Sequence, residues 1–350
     1  MLKKWLNWEF WPSYMFYIPN LPYAFYLALK ARSFVFFSAA NPSIKHSGNG
    51  TESKFDTLKL IPTNYAPTSV LIKKHTNFSA VKSILASNNL NFPIIAKPDV
   101  GYRGLLVEKI NSELQLKSYL DKYNTIAIIL QEFIDLPKEC GIFYHRIPTE
   151  ENGHITSITL KEYLSVTGNG TSSLEQLVLE NPRVSKHYNL VKSLYPNELD
   201  RIIEKDKKLI LNFIGNHCKG STFLDGNHLI DDSLERAIDK LLKKIPNIFY
   251  GRIDLKYTSF EELKKLENFK IIEINGIISE PTHIYDPYRS NYFKALKEIR
   301  KHWKILFKVA TTNNRVNKVN YDSPKSFIRS LRKLKSYTQE IDLIAANQNR

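Results

Sequence analysis

Two cysteines in 350 residues, Cys140 and Cys218, exclude a disulfide framework and a cysteine-based zinc site. They lie far apart, form no Cys-x-x-Cys unit and have no histidine at ligand spacing. A reduced intracellular compartment is therefore expected. No secretory leader is expected either, because Lys3 and Lys4 are followed by Trp5, Trp8, Glu9 and Trp11 rather than by a clean apolar run and a small-residue cleavage site. The sequence has no internal repeat, low-complexity tract or heptad run. Acidic residues are in deficit, with 35 Asp+Glu against 50 Lys+Arg and a formal net charge of +15. Such an excess attracts polyanions, whether nucleotides, nucleic acid or an anionic membrane face. No recognition helix or aromatic motif accompanies the charge, so no specific nucleic-acid partner is expected. Much of the excess sits late, in Lys294, Lys297, Arg300, Lys301, Lys304 and Lys308, then Arg329, Arg332, Lys333 and Lys335. The ordinary reading of such runs is a solvated helix face.

Charge of either sign is missing from residues 10 to 29, which Glu9 and Lys30 bracket. That length could span a bilayer. Pro12, Pro19 and Pro22 interrupt it, however, and Trp11, Tyr14, Tyr17, Tyr23 and Tyr26 suit the headgroup boundary better than the hydrocarbon core. Two readings stay open: a monotopic segment lying in a membrane interface, flanked by Lys3, Lys4, Lys30 and Arg32, or an aromatic cover packed on the rest of the protein or a partner.

After a loop rich in Asn, Ser, Gly and Pro between Asn41 and Gly50, a helix is expected over Ser79 to Asn88 with Ser79 as its N-cap. Phe92 to Pro98 reads as a buried strand ending at Lys97, Asp99 to Gly104 as a turn, and Leu105 to Val107 as a returning strand. Backbone amides of such a hairpin can face phosphate, with Lys97 as a point charge. Ser112 and Gln115 form a capping box for a helix to about Lys122. Thr125 to Ile134 is an apolar strand turning polar at its end, and Ile155 to Val166 alternates as another strand. A helix capped by Ser172 with Glu175 follows, then an amphipathic helix over Asn197 to Ile214 closed by Gly215. His217 sits in a glycine-flanked polar loop with no second ligand at metal spacing, which favours substrate or phosphate contact over metal. Further helices are expected over Asp232 to Lys244, Asn291 to Val309 and Pro324 to Lys335.

The most informative stretch is Tyr250 to Lys256, answered by Ile271 to Gly276. Read as two strands, they place Arg252 and Asp254 on one face and Glu273 and Asn275 likewise. Two carboxylates and an amide oxygen form a hard-oxygen set suited to Mg²⁺, which keeps room for substrate phosphates.

In this order, the lysine hairpin, the polar strand end with a later glutamate, and the paired acidic strands resemble the ATP-grasp superfamily over about residues 70 to 285. Within it the sequence is similar to carboxylate–amine ligases of the D-alanine–D-alanine ligase and cyanophycin synthetase kind, the latter through Val166 to Leu177. The resemblance implies an α+β fold in which two lobes with antiparallel sheets clamp ATP. It further implies that Lys97 holds the nucleotide phosphates under a loop containing Gly101, Arg103 and Gly104. The backbone of Gln131, Glu132, Phe133 and Ile134 would read adenine, and Glu139 would bind ribose. Asp254, Glu273 and Asn275 would hold Mg²⁺, two ions in all, with Mn²⁺ able to substitute. Arg252 would contact the transferred phosphate, with Lys161 and His217 as further candidates near the reacting groups and Lys73 or Lys74 as a second phosphate lysine.

The implied reaction joins a carboxylate to an amine or thiol through an acylphosphate, with ATP consumed. A kinase of the same fold, or a nucleotide-binding interaction protein without turnover, are the alternatives. Three regions are expected: 1–65, aromatic and Pro-broken; 66–288, the ATP-grasp domain; and 289–350, basic helices. The short first region departs from the family's usual α/β lobe and leaves the acid and amine open. With the basic helices, it suggests an amphiphilic or lipid-linked acid or amine, besides ordinary small-molecule substrates, and a location that is cytoplasmic or peripheral on the inner membrane face.

Overall fold

The structure, a computed structural model, describes residues 8–101 and 104–346. The chain divides into a large unit, Met1–Leu160 with Leu224–Arg350, and a small unit, Lys161–Phe223.

In the large unit the aromatic entry is helical: α1 (Tyr14–Tyr17), a 3₁₀ turn (Ile18–Asn20) and α2 (Leu21–Ala31). Pro19 and Pro22 are the second residues of the turn and of α2, within the first turn where a missing N–H costs nothing. They start helical turns rather than break them. The buried face of this entry packs on a C-terminal helix: Phe16 joins Ala295 and Ile299, while Leu27 and Ala28 join Leu306, Val309 and Ala310.

A short helix, α3 (Lys54–Lys59), precedes the first sheet. That sheet contains β1 (Ser69–Ile72), β2 (Ile94–Pro98), β3 (Glu108–Ile110) and β4 (Ile128–Glu132) in the order β1-β4-β2-β3. Its pairings are antiparallel. Between the strands lie α4 (Phe78–Ser87) and α5 (Glu113–Tyr123). Asn77 rather than Ser79 caps α4, its side chain accepting from the Ala80 N–H at 2.8 Å. Leu105 to Val107, expected as a strand, is a turn with Leu106 at φ 55°, so the returning strand begins at Glu108. The core here combines Val81, Leu85, Leu116 and Tyr119 from the helices with Ile94, Ala96, Ile128 and Leu130 from the strands.

The second sheet is built from β5 (Lys138–His145) and β6 (His154–Glu162) together with later strands. β6 carries the chain into the small unit. There β7 (Leu164–Thr167), α6 (Leu174–Glu180), α7 (Tyr188–Leu194) and β8 (Lys208–Asn212) enclose a separate core with Leu164, Val166, Leu174, Val178 and Leu211. Asn197 to Ile214, expected as one amphipathic helix, is instead a run of turns followed by β8, which pairs antiparallel with β7. Leu199, Ile203 and Leu209 do reach a common core, but the chain turns at Asp206, φ 61°, instead of continuing helically. The α6 capping box uses Ser173 and Gln176, one residue later than expected, because Ser172 is held by the Asn169 side chain.

β9 (Thr222–Asp225) brings the chain back. Then come α8 (Asp232–Leu242), β10 (Tyr250–Tyr257), α9 (Phe260–Lys264), β11 (Phe269–Asn275), α10 (Tyr292–Val316) and α11 (Pro324–Ala346). The five strands run β11-β10-β5-β6-β9. The α+β expectation with antiparallel sheets and C-terminal helices holds, although both terminal helices extend beyond their expected ends.

One side chain fixes where β10 begins. Asn41 is fully buried; its Oδ1 accepts from the Phe249 and Tyr250 N–H groups at 2.9 Å, and its Nδ2 donates to the Tyr250 carbonyl at 2.7 Å and the Ser47 carbonyl at 3.2 Å. Removing that amide strands two buried N–H groups. Asn41→Ala is therefore expected to lower unfolding free energy by about 3 kcal/mol. Urea unfolding checks this, and a loss below about 1 kcal/mol would show that water or a backbone shift replaces the bonds.

Candidate active site

The β10–β11 pairing puts Arg252 opposite Asn275 and Asp254 opposite Glu273, with a register shift immediately after Asp254. Antiparallel β5 lies on the other side of β10, with Gly141 opposite Asp254 and Glu139 opposite Lys256. Alternation therefore places Glu139, Gly141, Arg252, Asp254 and Lys256 on one face. Gly141 is there because of its neighbours: a Cβ at that position would come within 2.8 Å of Asp254 Oδ1 and 2.9 Å of Arg252 Cδ. An unsubstituted strand position makes room for the carboxylate and guanidinium.

Asp254 is only 3% exposed. The Arg252 Nε and Nη2 groups donate to its two oxygens at 2.8 and 3.0 Å, and Asn275 Nδ2 approaches one oxygen at 3.3 Å. A fork matched to two carboxylate oxygens fixes the two side chains against each other. Arg252 Nη1 also donates to the Glu280 carbonyl at 3.1 Å, tying the loop after β11 to the same point. That loop lies close because Gly276 packs against Ser47 and Gly48, with its Cα hydrogens where a Cβ would meet the Ser47 carbonyl.

Lys97 leaves β2 of the first sheet and is buried. Its ammonium donates to Gln131 Oε1 at 2.9 Å and to the Ile272 carbonyl in β11 at 3.3 Å. Gln131 is oriented for this by donating from Nε2 to Ser69 Oγ at 3.1 Å. The lysine thus bridges the two sheets of the large unit at the register shift. Burial drives its pKa down to about 8, against the attraction of Glu273. Glu273 is paired with Lys54. Burial opposes its charge, but Lys54 and then Lys97 outweigh that and hold its pKa at about 2.

Lys54 was not foreseen from the sequence. It opens α3, whose N-cap Ser53 donates to Asp99 Oδ1 at 2.9 Å, while the Phe55 N–H donates to the same oxygen at 2.9 Å and the Lys54 N–H to the Asp99 carbonyl at 2.9 Å. Asp99, at the start of the loop after β2, therefore docks the helix that delivers Lys54 to Glu273. Lys73 and Lys74 lie exposed just beyond β1. A second missed group is Tyr17, whose hydroxyl donates to Glu280; Tyr285 reaches the same carboxylate at 3.2 Å. Burial, and after it Glu280, push the Tyr17 phenol well above its usual range, so it remains a proton donor.

Glu132 accepts from the Thr68 N–H at 3.0 Å, and Phe133 lies under the ammonium groups of Lys109 and Lys256 at 3.8 and 5.3 Å. Ile134 and Glu139 are buried, and Gly101 and Gly104 have φ of 147° and 66°. Arg103 lies outside the described residues. Lys161, at the end of β6, and His217, in a 3₁₀ turn (His217–Lys219), belong to the small unit, whereas Arg252 belongs to the large one.

Two ionic groups, buried Lys97 and half-buried Glu273, give the protein a defined pH response. Glu273 has a folded pKa of about 2 against an ordinary 4.5. Its charge stabilises the fold above the ordinary value, and that contribution disappears as pH falls from 4.5 toward 2. Lys97 acts oppositely: its folded pKa of about 8 lies below the ordinary 10.5, so stability rises as pH increases between those values. Urea midpoints across acid pH should therefore fall more steeply for the parent than for Glu273→Gln. Equal slopes would contradict the Glu273 assignment.

No protein-family model matches the sequence, and no curated protein matches it. Among solved structures, it is similar to the VanG D-Ala:D-Ser ligase from Enterococcus faecalis, at 17% identity and TM-score 0.43 over 76% of this chain and 64% of that one. It is also similar to a D-alanine–D-alanine ligase from Bacillus anthracis, at 14% identity and TM-score 0.42 over 79% and 71%. An L-amino acid ligase from Bacillus licheniformis is similar at 13% identity and TM-score 0.41 over 75% and 52%. The chain thus spans 64% of the length of the Enterococcus ligase, and each of these is a likeness only.

Proposed function

We propose that this chain is an ATP-dependent carboxylate–amine ligase of the ATP-grasp kind that works through an acylphosphate. The observation that carries the reading is the meeting of Lys97 from one antiparallel sheet with Arg252, Asp254, Glu273 and Asn275 on the other, with Lys54 added from α3. A site holding three cations and two carboxylates suits a polyphosphate whose charge shifts during reaction.

The donor set fits magnesium. Asp254, Glu273 and Asn275 supply two carboxylates and an amide oxygen, few enough to leave positions for phosphate oxygens. Among the described residues no group of three or more His, Cys, Asp or Glu side chains forms a denser metal cluster. When bound, Mg²⁺ would neutralise charge on the β- and γ-phosphates. Lys97 and Lys54 would hold the phosphate chain, and Arg252 would meet the γ-phosphoryl group with the fork it now directs at Asp254. The acid's carboxylate oxygen attacks phosphorus and ADP leaves. The amine then attacks the acyl carbon, phosphate leaves, and the amine proton passes to solvent. No side-chain nucleophile is needed. The Glu280 side, where Tyr17 and Tyr285 converge, is the proposed entry for acid and amine.

Hydroxylamine tests this without knowledge of the amine. With ATP and pooled amino acids, short peptides or other carboxylic acids, the protein should form a hydroxamate and release ADP in equal amounts. Phosphate retained on a hydroxyl-bearing product, with no hydroxamate, would instead assign a kinase. Nucleotide binding without turnover of any acid would leave an interaction protein.

A further inference from the structure

The aromatic entry has two faces with different fates. Phe16 and Leu27 are buried, Asn20 Nδ2 donates to the Leu296 carbonyl at 3.2 Å, and Arg300 Nε donates to Asn20 Oδ1 at 3.2 Å. These contacts clamp α1 and α2 onto α10. On the other face Tyr14, Ile18, Leu21, Phe25 and Leu29 recur every three or four residues, and each is more than half exposed. Phe34, also more than half exposed, continues the strip with its ring 5.8 Å from that of Phe25. A contiguous apolar strip held outward by its own anchoring marks an interaction site.

Its border is cationic. Phe10 to Thr51 contain no carboxylate. Lys30 and Arg32 stand exposed at the end of the strip. Arg300 lies over the Tyr23 ring at 5.4 Å, with exposed Lys297 and Lys304 about one turn to either side on α10. Two copies meeting through this face would bring like-charged borders together, and that opposes self-association. No described helix is long and apolar enough to cross a membrane. An apolar strip with tyrosines, edged by lysine and arginine, fits the plane of an anionic headgroup layer.

We propose that the Tyr14–Phe34 face docks on an anionic bilayer surface, with its aromatic and aliphatic side chains among the headgroups and Lys30, Arg32, Lys297, Arg300 and Lys304 against lipid phosphates. The occupied face and the candidate site share a short helix, since Tyr17 of α1 donates to Glu280. Docking and acceptor entry are thereby structurally linked.

The test is flotation of the full chain with vesicles of phosphatidylcholine alone or with about 30% phosphatidylglycerol. Binding is expected on the mixed vesicles, weakening as salt is raised. Phe25→Ser/Leu29→Ser should reduce it by about tenfold or more, because apolar area leaves the lipid while the exposed positions leave the melting temperature unchanged. Lys297→Glu/Lys304→Glu should reduce binding on the mixed vesicles selectively. The proposal is overturned if the parent stays lipid-free on both vesicles or if the serine variant floats equally well. It is also overturned if light scattering shows a dimer that the serine variant dissociates without any flotation, which assigns the face to a second copy.

Discussion

Glu273→Gln is expected to lower ATP turnover by about a thousandfold or more, well beyond its effect on folding. The carboxylate stands opposite Asp254, pairs with Lys54 and lies in the field of Lys97. Glutamine keeps the shape and removes the charge. Two ammonium groups then lose their counter-charge, and the proposed magnesium set loses one of its two anions. Losing one preorganised electrostatic contact in such a site costs about a hundred- to a thousandfold, and here one change removes two. Stability should fall by about 2 kcal/mol, since the pair is only partly withdrawn from water. Turnover is to be measured well below the variant's melting temperature, with circular dichroism confirming the fold. Turnover within tenfold of the parent would remove Glu273 from the reaction.

Arg252→Met is expected to damage both stability and activity. Asp254, at 3% exposure, would lose both bonds from the guanidinium while keeping the 3.3 Å approach of Asn275. Leaving a buried carboxylate without its guanidinium costs about 3–5 kcal/mol. Activity should fall by about a thousandfold, the scale associated with an arginine on a transferring phosphoryl group. Arg252→Lys separates the two effects. An ammonium retains the charge and much of the stability but cannot donate to both carboxylate oxygens from a planar fork, so activity should stay low. Full activity in the lysine variant would show that charge alone suffices.

How far the sequence disclosed this arrangement depends on the range of each contact. Arg252, Asp254, Glu273 and Asn275 are legible because strand alternation is local and their two segments are close in the chain. The Ser112 cap is legible for the same reason. Ser172 with Glu175 and Ser173 with Gln176 satisfy one pattern equally, and only the Asn169 side chain selects between them. Asn197 to Ile214 carries apolar spacing that serves a helix or a turn-and-strand, and pairing with β7 decides it.

Lys54 and Asn41 show the limit most clearly. Lys54 meets Glu273 across 219 positions, and Asn41 meets Phe249 across 208. Nothing local marks either residue as a partner of those strands. Ser53 as an N-cap was the available signal for α3, but the direction of that helix is set by Asp99, 46 residues later. The prolines of the entry look like breakers in the sequence alone because their position within a helical turn depends on the contacts that α10 supplies.

The most direct measurement of the central claim is equilibrium binding of ATP by calorimetry, with and without magnesium, to the parent and to Lys97→Met. Methionine preserves much of the buried stem and removes the ammonium that joins the two sheets. One magnesium-dependent nucleotide site in the parent, weakened by about a hundredfold in Lys97→Met, is the predicted result. Absence of nucleotide binding in the parent, or equal affinity in the variant, would contradict the assignment of this site to ATP.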